Sequence, residues 1–244
     1  MKINLTDKSI FHVHTFRCGH AENVPDEKYI EEAIKLGSSD IWFSDHAPFP
    51  GDPFGSRMGF DELQEYLEAL SCLKKKYQGA IDVHIGLEME YFPSYDEEGY
   101  YSLLRKDERI EMLLLGQHMA EIGDRTYTFN WFDKKLEDEE YIALGNAIMA
   151  GIKSGYFDAV AHPDRIFRRR TSWDQDMEAM SVRIIEAAHE ANILLEQNRE
   201  SMEYENYYWP QFWSLTGEGI KVITGLDAHS ISDMARRYLK RKEI

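Results

Sequence analysis

The stretch Ile10-Phe11-His12-Val13-His14-Thr15-Phe16-Arg17-Cys18-Gly19-His20 joins a short apolar run to three histidines. Residues 10–13 have the length and the β-branched and aromatic content of a buried strand. The run hands over at once to side chains that bind metal ions. The same hand-over recurs along the chain. Apolar runs at 40–43, 81–87, 112–115, 157–161, 193–195 and 221–224 lead into Ser44-Asp45-His46, Gly86-Leu87-Glu88, Gly116-Gln117-His118, Ala161-His162-Pro163-Asp164, Glu196-Gln197-Asn198 and Asp227-Ala228-His229.

Helical patterns separate these runs. Pro25-Asp26-Glu27 opens one that stops at Gly37, with proline first and glycine last. Residues 60–77 place Leu63, Tyr66, Leu67, Leu70 and Leu73 at three-to-four spacing, the stripe of an amphipathic helix. Residues 141–153, 176–191 and 234–239 read similarly, and 95–110 is expected to be helical. Seven strand–helix units without a hairpin signal such as Asn-Gly predict a parallel sheet buried on both faces. An open sheet gathers only the strands beside its switch point. A (β/α) barrel brings every C-terminal strand end to one mouth. Ligand-type residues after all seven runs therefore favour a closed or distorted barrel, with 1–244 as a single domain.

Residues i and i+2 of a strand share a face, so His12 and His14 are placed to reach one ion, as are Asp227 and His229. The joint placement carries the argument, because seven of the nine histidines sit at strand ends or in the loop beyond the first. The other two, His84 and His189, read as satisfied core histidines. Glu90 reads either as an outer acceptor for a ligating histidine or as a solvated carboxylate.

Bulk properties narrow the field. A 43% hydrophobic and 30% charged composition is that of a globular enzyme. No apolar run approaches the span of about 20 residues that a bilayer requires. The first residues have no signal-peptide core, so a cytoplasmic location is expected. The net charge of −16 argues against a nucleic-acid partner. Two cysteines provide no disulfide framework. Cys18 lies in the histidine-rich loop, and a free thiol is the preferred reading there.

The quoted motifs, in this order from Phe11 to His229, resemble the PHP (polymerase and histidinol phosphatase) superfamily. Ser44-Asp45-His46-Ala47-Pro48, followed by Arg57-Met58, is similar to its histidinol-phosphatase branch. The resemblance implies a distorted (β/α)7 barrel, TIM-like and of the α/β class, holding three divalent ions. It implies that His12, His14, Glu88 and Asp227 hold the first ion. Glu88 would bridge to a second on His118 and His162, and His20, His46 and His229 would hold the third. Nitrogen and oxygen donors suit zinc, manganese or iron.

The activity implied is hydrolysis of a small phosphate monoester, L-histidinol phosphate, by a metal-bridging hydroxide, with Glu88, Asp227 and His229 at the reacting centre. Arg165 and Arg199 follow strand ends and are the expected phosphate-binding arginines, because a guanidinium fork matches phosphoryl oxygens. Family members often carry a more distant arginine than Arg199, which leaves the ester open. Glu121, Glu196, Glu200, Tyr91, Phe92 and Trp131 are expected to line the mouth and to meet a cationic head group. Arg168-Arg169-Arg170 reads as a solvated surface run. The alternatives are a phosphoesterase for another small ester, an amidohydrolase-type hydrolase or deaminase, and a regulatory barrel without turnover.

Overall fold

A computed structural model describes residues 3–123, 125–130 and 139–240. Every expected run contributes a strand: β1 (Ser9–Val13), β2 (Asp40–His46), β3 (Asp82–Met89), β4 (Met112–Leu115), β7 (Ala159–Val160), β8 (Leu194–Asn198) and β9 (Val222–Gly225). These seven form one sheet in the order β1-β2-β3-β4-β7-β8-β9. The pairs β1–β2, β2–β3, β4–β7 and β7–β8 run parallel. Strands β1 and β4 are buried at every residue, as expected when both faces are covered. The chain beyond β9 returns to the first strand, with Leu226 N donating to Phe11 O at 2.8 Å and His14 N to Ala228 O at 2.9 Å. Val13 and Ala228 form a parallel bridge there. The strand order thus runs back to its start, which is the (β/α)7 barrel topology.

The chain divides into two compact units. The first is Met1–Glu88 with Asp107–Leu113 and Thr224–Ile244; the second is Met89–Lys106 with Leu114–Ile223. In the first, the helix Asp26–Lys35 follows Pro25 and carries Asp26 and Glu27 in its first turn and Lys35 in its last, matching the helix dipole at both ends. The expected 60–77 helix begins as a 3-10 turn, Phe60–Glu62, and continues as Leu63–Lys76. Tyr66 in this helix donates to Gly86 O at 2.8 Å and so ties the helix to β3.

In the second unit, the helices Glu140–Ser154 and Gln175–Ala191 lie close to the expected bounds. Gly151 of the first sits where a Cβ would come within 2.7 Å of Leu115 Cδ2 and 3.0 Å of Tyr91 Cβ. The single helix expected over 95–110 is instead two, Pro93–Glu97 and Tyr100–Lys106. Gly99, at φ +77°, separates them. A short antiparallel pair, β5 (Glu121–Gly123) with β6 (Thr126–Tyr127), was not expected. It lacks the Asn-Gly signal and turns beside Gly123 at φ +121°. Among the described residues, no helix is long and apolar enough to cross a membrane.

Candidate metal centre

The first unit gathers seven of the nine expected ligands. His12 Nε2 lies 3.3 Å from Glu88 Oε2 and 3.7 Å from Asp227 Oδ1. His14 Nε2 lies 3.2 Å from Asp227 Oδ1 and 3.5 Å from Glu88 Oε2. His46 Nδ1 is 3.2 Å from the same Glu88 oxygen. His20 Nε2 and His229 Nε2 face each other at 2.9 Å. The His14 ring stacks on His229 with centroids 4.1 Å apart and lies 4.4 Å from His46.

These spacings suit an ion. A tetrahedron with metal–nitrogen distances of about 2.0–2.1 Å has edges of about 3.3–3.4 Å. The donor atoms of His12, His14 and Asp227, and those of His14, His46 and His229, fall within 4.8 Å of one another. Neither ring nitrogen of the fully buried His14 makes a well-formed hydrogen bond. A buried polar group in that condition is costly unless something else satisfies it. Two nearly inaccessible carboxylates, Glu88 and Asp227, add negative charge that burial penalises without cations. The nitrogen and oxygen donor set therefore fits borderline divalent ions.

The cluster's electrostatics follow. Burial alone would lower the His14 pKa, but Asp227 and Asp45 outweigh it and push it up to about 9. Burial and the neighbouring His14 push His229 down to about 3. Burial and the charge of Asp45 raise the Cys18 thiol to about 12. Metal ligation requires neutral imidazoles, so protons and ions compete for His14.

Local backbone geometry departs from the flat strand expected for His12-Val13-His14. His12 has φ +68° and sits where the β1–β2 register shifts between Phe11 and Val13. The two rings still converge, with centroids 5.0 Å apart, but a bulge aims them rather than the strand's alternation. Asp227 and His162 also hold positive φ, at +51° and +32°. Three expected ligands thus occupy a conformation that costs a non-glycine residue about 1–2 kcal/mol, strain of the kind that collects at functional sites.

Asp45 is the contributor that sequence reasoning passed over. It is fully buried, accepts hydrogen bonds from Thr15 Oγ1 and His46 N, and places Oδ1 3.5 Å from His14 Nδ1. Its position just before His46 was the available signal. Arg17, in the loop between His14 and His20, is buried, with Nη1 2.9 Å from Asp26 and Nη2 3.0 Å from Glu65.

In the second unit, His118 and His162 bring their rings to 5.1 Å. His118 Nδ1 lies 3.1 Å from the buried Glu90 Oε1, so Glu90 is a partner of His118 and not a solvated carboxylate. Arg165 donates from Nε to Ser201 Oγ at 2.9 Å and from Nη2 to Asn198 Oδ1 at 3.0 Å, and it lies over the Tyr207 ring. Arg199 is half-buried, with Nη1 3.7 Å from Met202 Sδ. Glu196 is buried and accepts from His162 N and Asn198 Nδ2. Burial pushes Asp164 up to about 7, although Trp209 N and the Trp213 indole donate to it.

Several expectations are corrected. Phe92 is fully buried against Tyr95 and Tyr127, and Tyr91 stacks on Tyr101. They are packing residues and do not line a mouth. Glu121 accepts from Ser94 N and Arg125 N, and Trp131 lies outside the described residues. The arginine run is not simply solvated. Arg168 and Arg169 share the buried Glu140 at 2.9 and 2.8 Å, and Arg168 also donates to His118 O at 3.1 Å. His84 is satisfied by Glu111 at 2.9 Å and by stacking on Trp42 at 3.9 Å, whereas His189 is exposed rather than in the core.

Fold and site together define an α/β protein of (β/α)7 topology, with histidine-rich donor clusters at its strand ends. The chain belongs to the PHP domain family, whose model matches residues 11–200. Histidinol-phosphatase of Bacillus subtilis is 38% identical over 93 residues, 36% of this chain and 35% of that one, so this match spans about a third of the relative. A candidate histidinol-phosphatase of Deinococcus radiodurans is 28% identical over 93% of this chain and 88% of its own. The fold is similar to that of a candidate histidinol phosphatase, HisK, from Listeria monocytogenes, with TM-score 0.77 and 18% identity over 96% of this chain and 99% of that one. It is also similar to Lactococcus lactis histidinol phosphate phosphatase complexed with zinc, L-histidinol and phosphate. There the TM-score is 0.72 and the identity 20%, over 97% of this chain and 93% of that one.

Proposed function

We propose that this chain is a metal-dependent phosphomonoesterase that converts L-histidinol phosphate and water to L-histidinol and phosphate in histidine biosynthesis. The observation that carries the proposal is the convergence of His12, His14, His20, His46, Glu88, Asp227 and His229 at ligand spacing. The names of the relatives and the histidinol and phosphate in the Lactococcus protein support the substrate. The ligand sets are those implied by the family resemblance: His12, His14, Glu88 and Asp227; then Glu88, His118 and His162; then His20, His46 and His229. Residues 1–244 are read as one functional domain in the cytoplasm.

Divalent ions, when bound, supply Lewis acidity toward the phosphoryl group and lower the pKa of water. The chain supplies placement. Glu88 and Asp227 hold the cationic charge, and His229 stacks on His14 to fix both rings. Glu90 fixes the ring of His118 and so the nitrogen left for ligation. Arg165 presents a guanidinium whose plane is set by Ser201 and Asn198, an orientation suited to phosphoryl oxygens. Arg199 is the second phosphate-binding arginine in this reading.

Phosphate release from L-histidinol phosphate, nucleotides and sugar phosphates tests the substrate. A strong preference for the first is expected, and equal rates would reduce the protein to a general phosphoesterase. Metal analysis is expected to find about three ions per chain, and a single ion would overturn the trinuclear reading.

A further inference from the structure

We propose that the Cys18 thiol is a ligand of the same ion as His20 and His229, adding a soft sulfur donor beside the imidazoles. The inference rests on the metal-centre reading above. Thr15 and Gly19 close the turn Phe16–Cys18, the first by accepting from Arg17 N and the second in the left-handed region at φ +78°. This turn packs Cys18 inward, fully buried. Its Sγ falls within 4.8 Å of the ligand nitrogens of both His20 and His229, and within the same limit of donor atoms on His14 and Asp45. The neighbouring His14, fully buried and with no well-formed hydrogen bond at either nitrogen, has a donor atom in one group with Cys18 and Asp45 and marks the same space as a place for a ligand.

The Cys18 thiol donates to Thr15 O at 3.2 Å, the Asp45 carboxylate also reaches it, and the backbone N–H groups of His20 and Ala21 donate to it. On ligation the S–H bond breaks, its proton leaves to bulk water, and the sulfur lone pair forms the S–metal bond. Zinc–sulfur and zinc–nitrogen distances of about 2.3 and 2.0–2.1 Å put sulfur about 3.5 Å from each imidazole nitrogen in a tetrahedron. That spacing lies inside the observed limit. A thiolate inclines the site toward zinc or cobalt over harder ions such as magnesium or manganese.

The second cysteine, Cys72, is exposed and lies outside the cluster. It serves as the control, since Cys72→Ser leaves Cys18 as the one thiol in the chain. The metal-free full chain and Cys72→Ser are loaded with cobalt(II), and metal content and near-ultraviolet absorption are recorded. A thiolate-to-cobalt charge-transfer band is expected in both proteins and is expected to be lost in Cys18→Ser. Bound cobalt without that band in Cys72→Ser overturns the Cys18 assignment and leaves the histidine centre standing. Absence of bound cobalt overturns both. The Cys72→Ser spectrum decides the matter even if Cys18→Ser does not fold.

Discussion

His12, His162 and Asp227 hold left-handed backbone conformations, and each is a proposed metal ligand. Strain of about 1–3 kcal/mol per site is tolerated only where the surroundings over-determine it, and at His12 and Asp227 the β1 contacts of Leu226 and Ala228 do so. Ligand removal at a less constrained position separates chemistry from folding. His46 is half-buried at the end of β2, so His46→Ala is expected to leave the circular dichroism spectrum intact while phosphate release disappears. Full activity in that variant would contradict its ligand role. Glu90→Gln keeps the shape of the His118 partner and removes its charge. It is expected to weaken metal binding about 10–100-fold, read by metal titration, and an unchanged affinity would show Glu90 to be a packing residue.

The long second-unit helix Gln175–Ala191 illustrates how little local chemistry a stable element needs. Asp174 accepts from Met177 N at 2.9 Å at its start, and Asn192, at φ +54°, closes its end. The Met177 N–H, followed by burial and Arg170, sets the balance that holds Asp174 below the usual carboxylate range. Asp174→Ala is expected to cost about 1 kcal/mol, measured as a lower urea midpoint with unchanged slope. No change would mean that tertiary packing alone holds this helix end. The helix bounds were legible because periodicity and caps are local signals, whereas the break at Gly99 was masked by the apolar pattern running through it.

Across the whole molecule, a net charge of −16 and buried carboxylates make stability sensitive to cations and to pH. A metal ion held only by the folded state adds about 2.7 kcal/mol when its free concentration is a hundredfold above Kd. Chelation is therefore expected to lower the melting temperature, and re-addition of zinc or manganese to restore it. An unchanged melting temperature would argue against ions bound at the buried cluster. Glu111 provides a separate pH response. Burial would raise its pKa, but His84 and Lys74 outweigh it and hold it below the ordinary 4.5. A folded value below the unfolded one stabilises fully above the unfolded value and is lost as pH falls through the folded one. Glu111→Gln is thus expected to lower the urea midpoint most near neutrality, with the deficit shrinking below about pH 4.5. A deficit independent of pH would assign the effect to packing.

The sequence by itself determined the seven parallel strands, their alternation with helices, and the residues able to bind metal at the strand ends. These follow from apolar periodicity and side-chain chemistry, which are properties of neighbouring residues. Tertiary structure alone decided that a bulge aims His12 and that Asp45 stands behind His14. It also buried Cys18 beside His20 and His229, and put Phe92 and Tyr91 in the packing and Arg168 on Glu140. The physical reason is the same in each case. Those outcomes depend on partners brought close from distant parts of the chain, and local patterns do not encode which buried charge or ring will meet them.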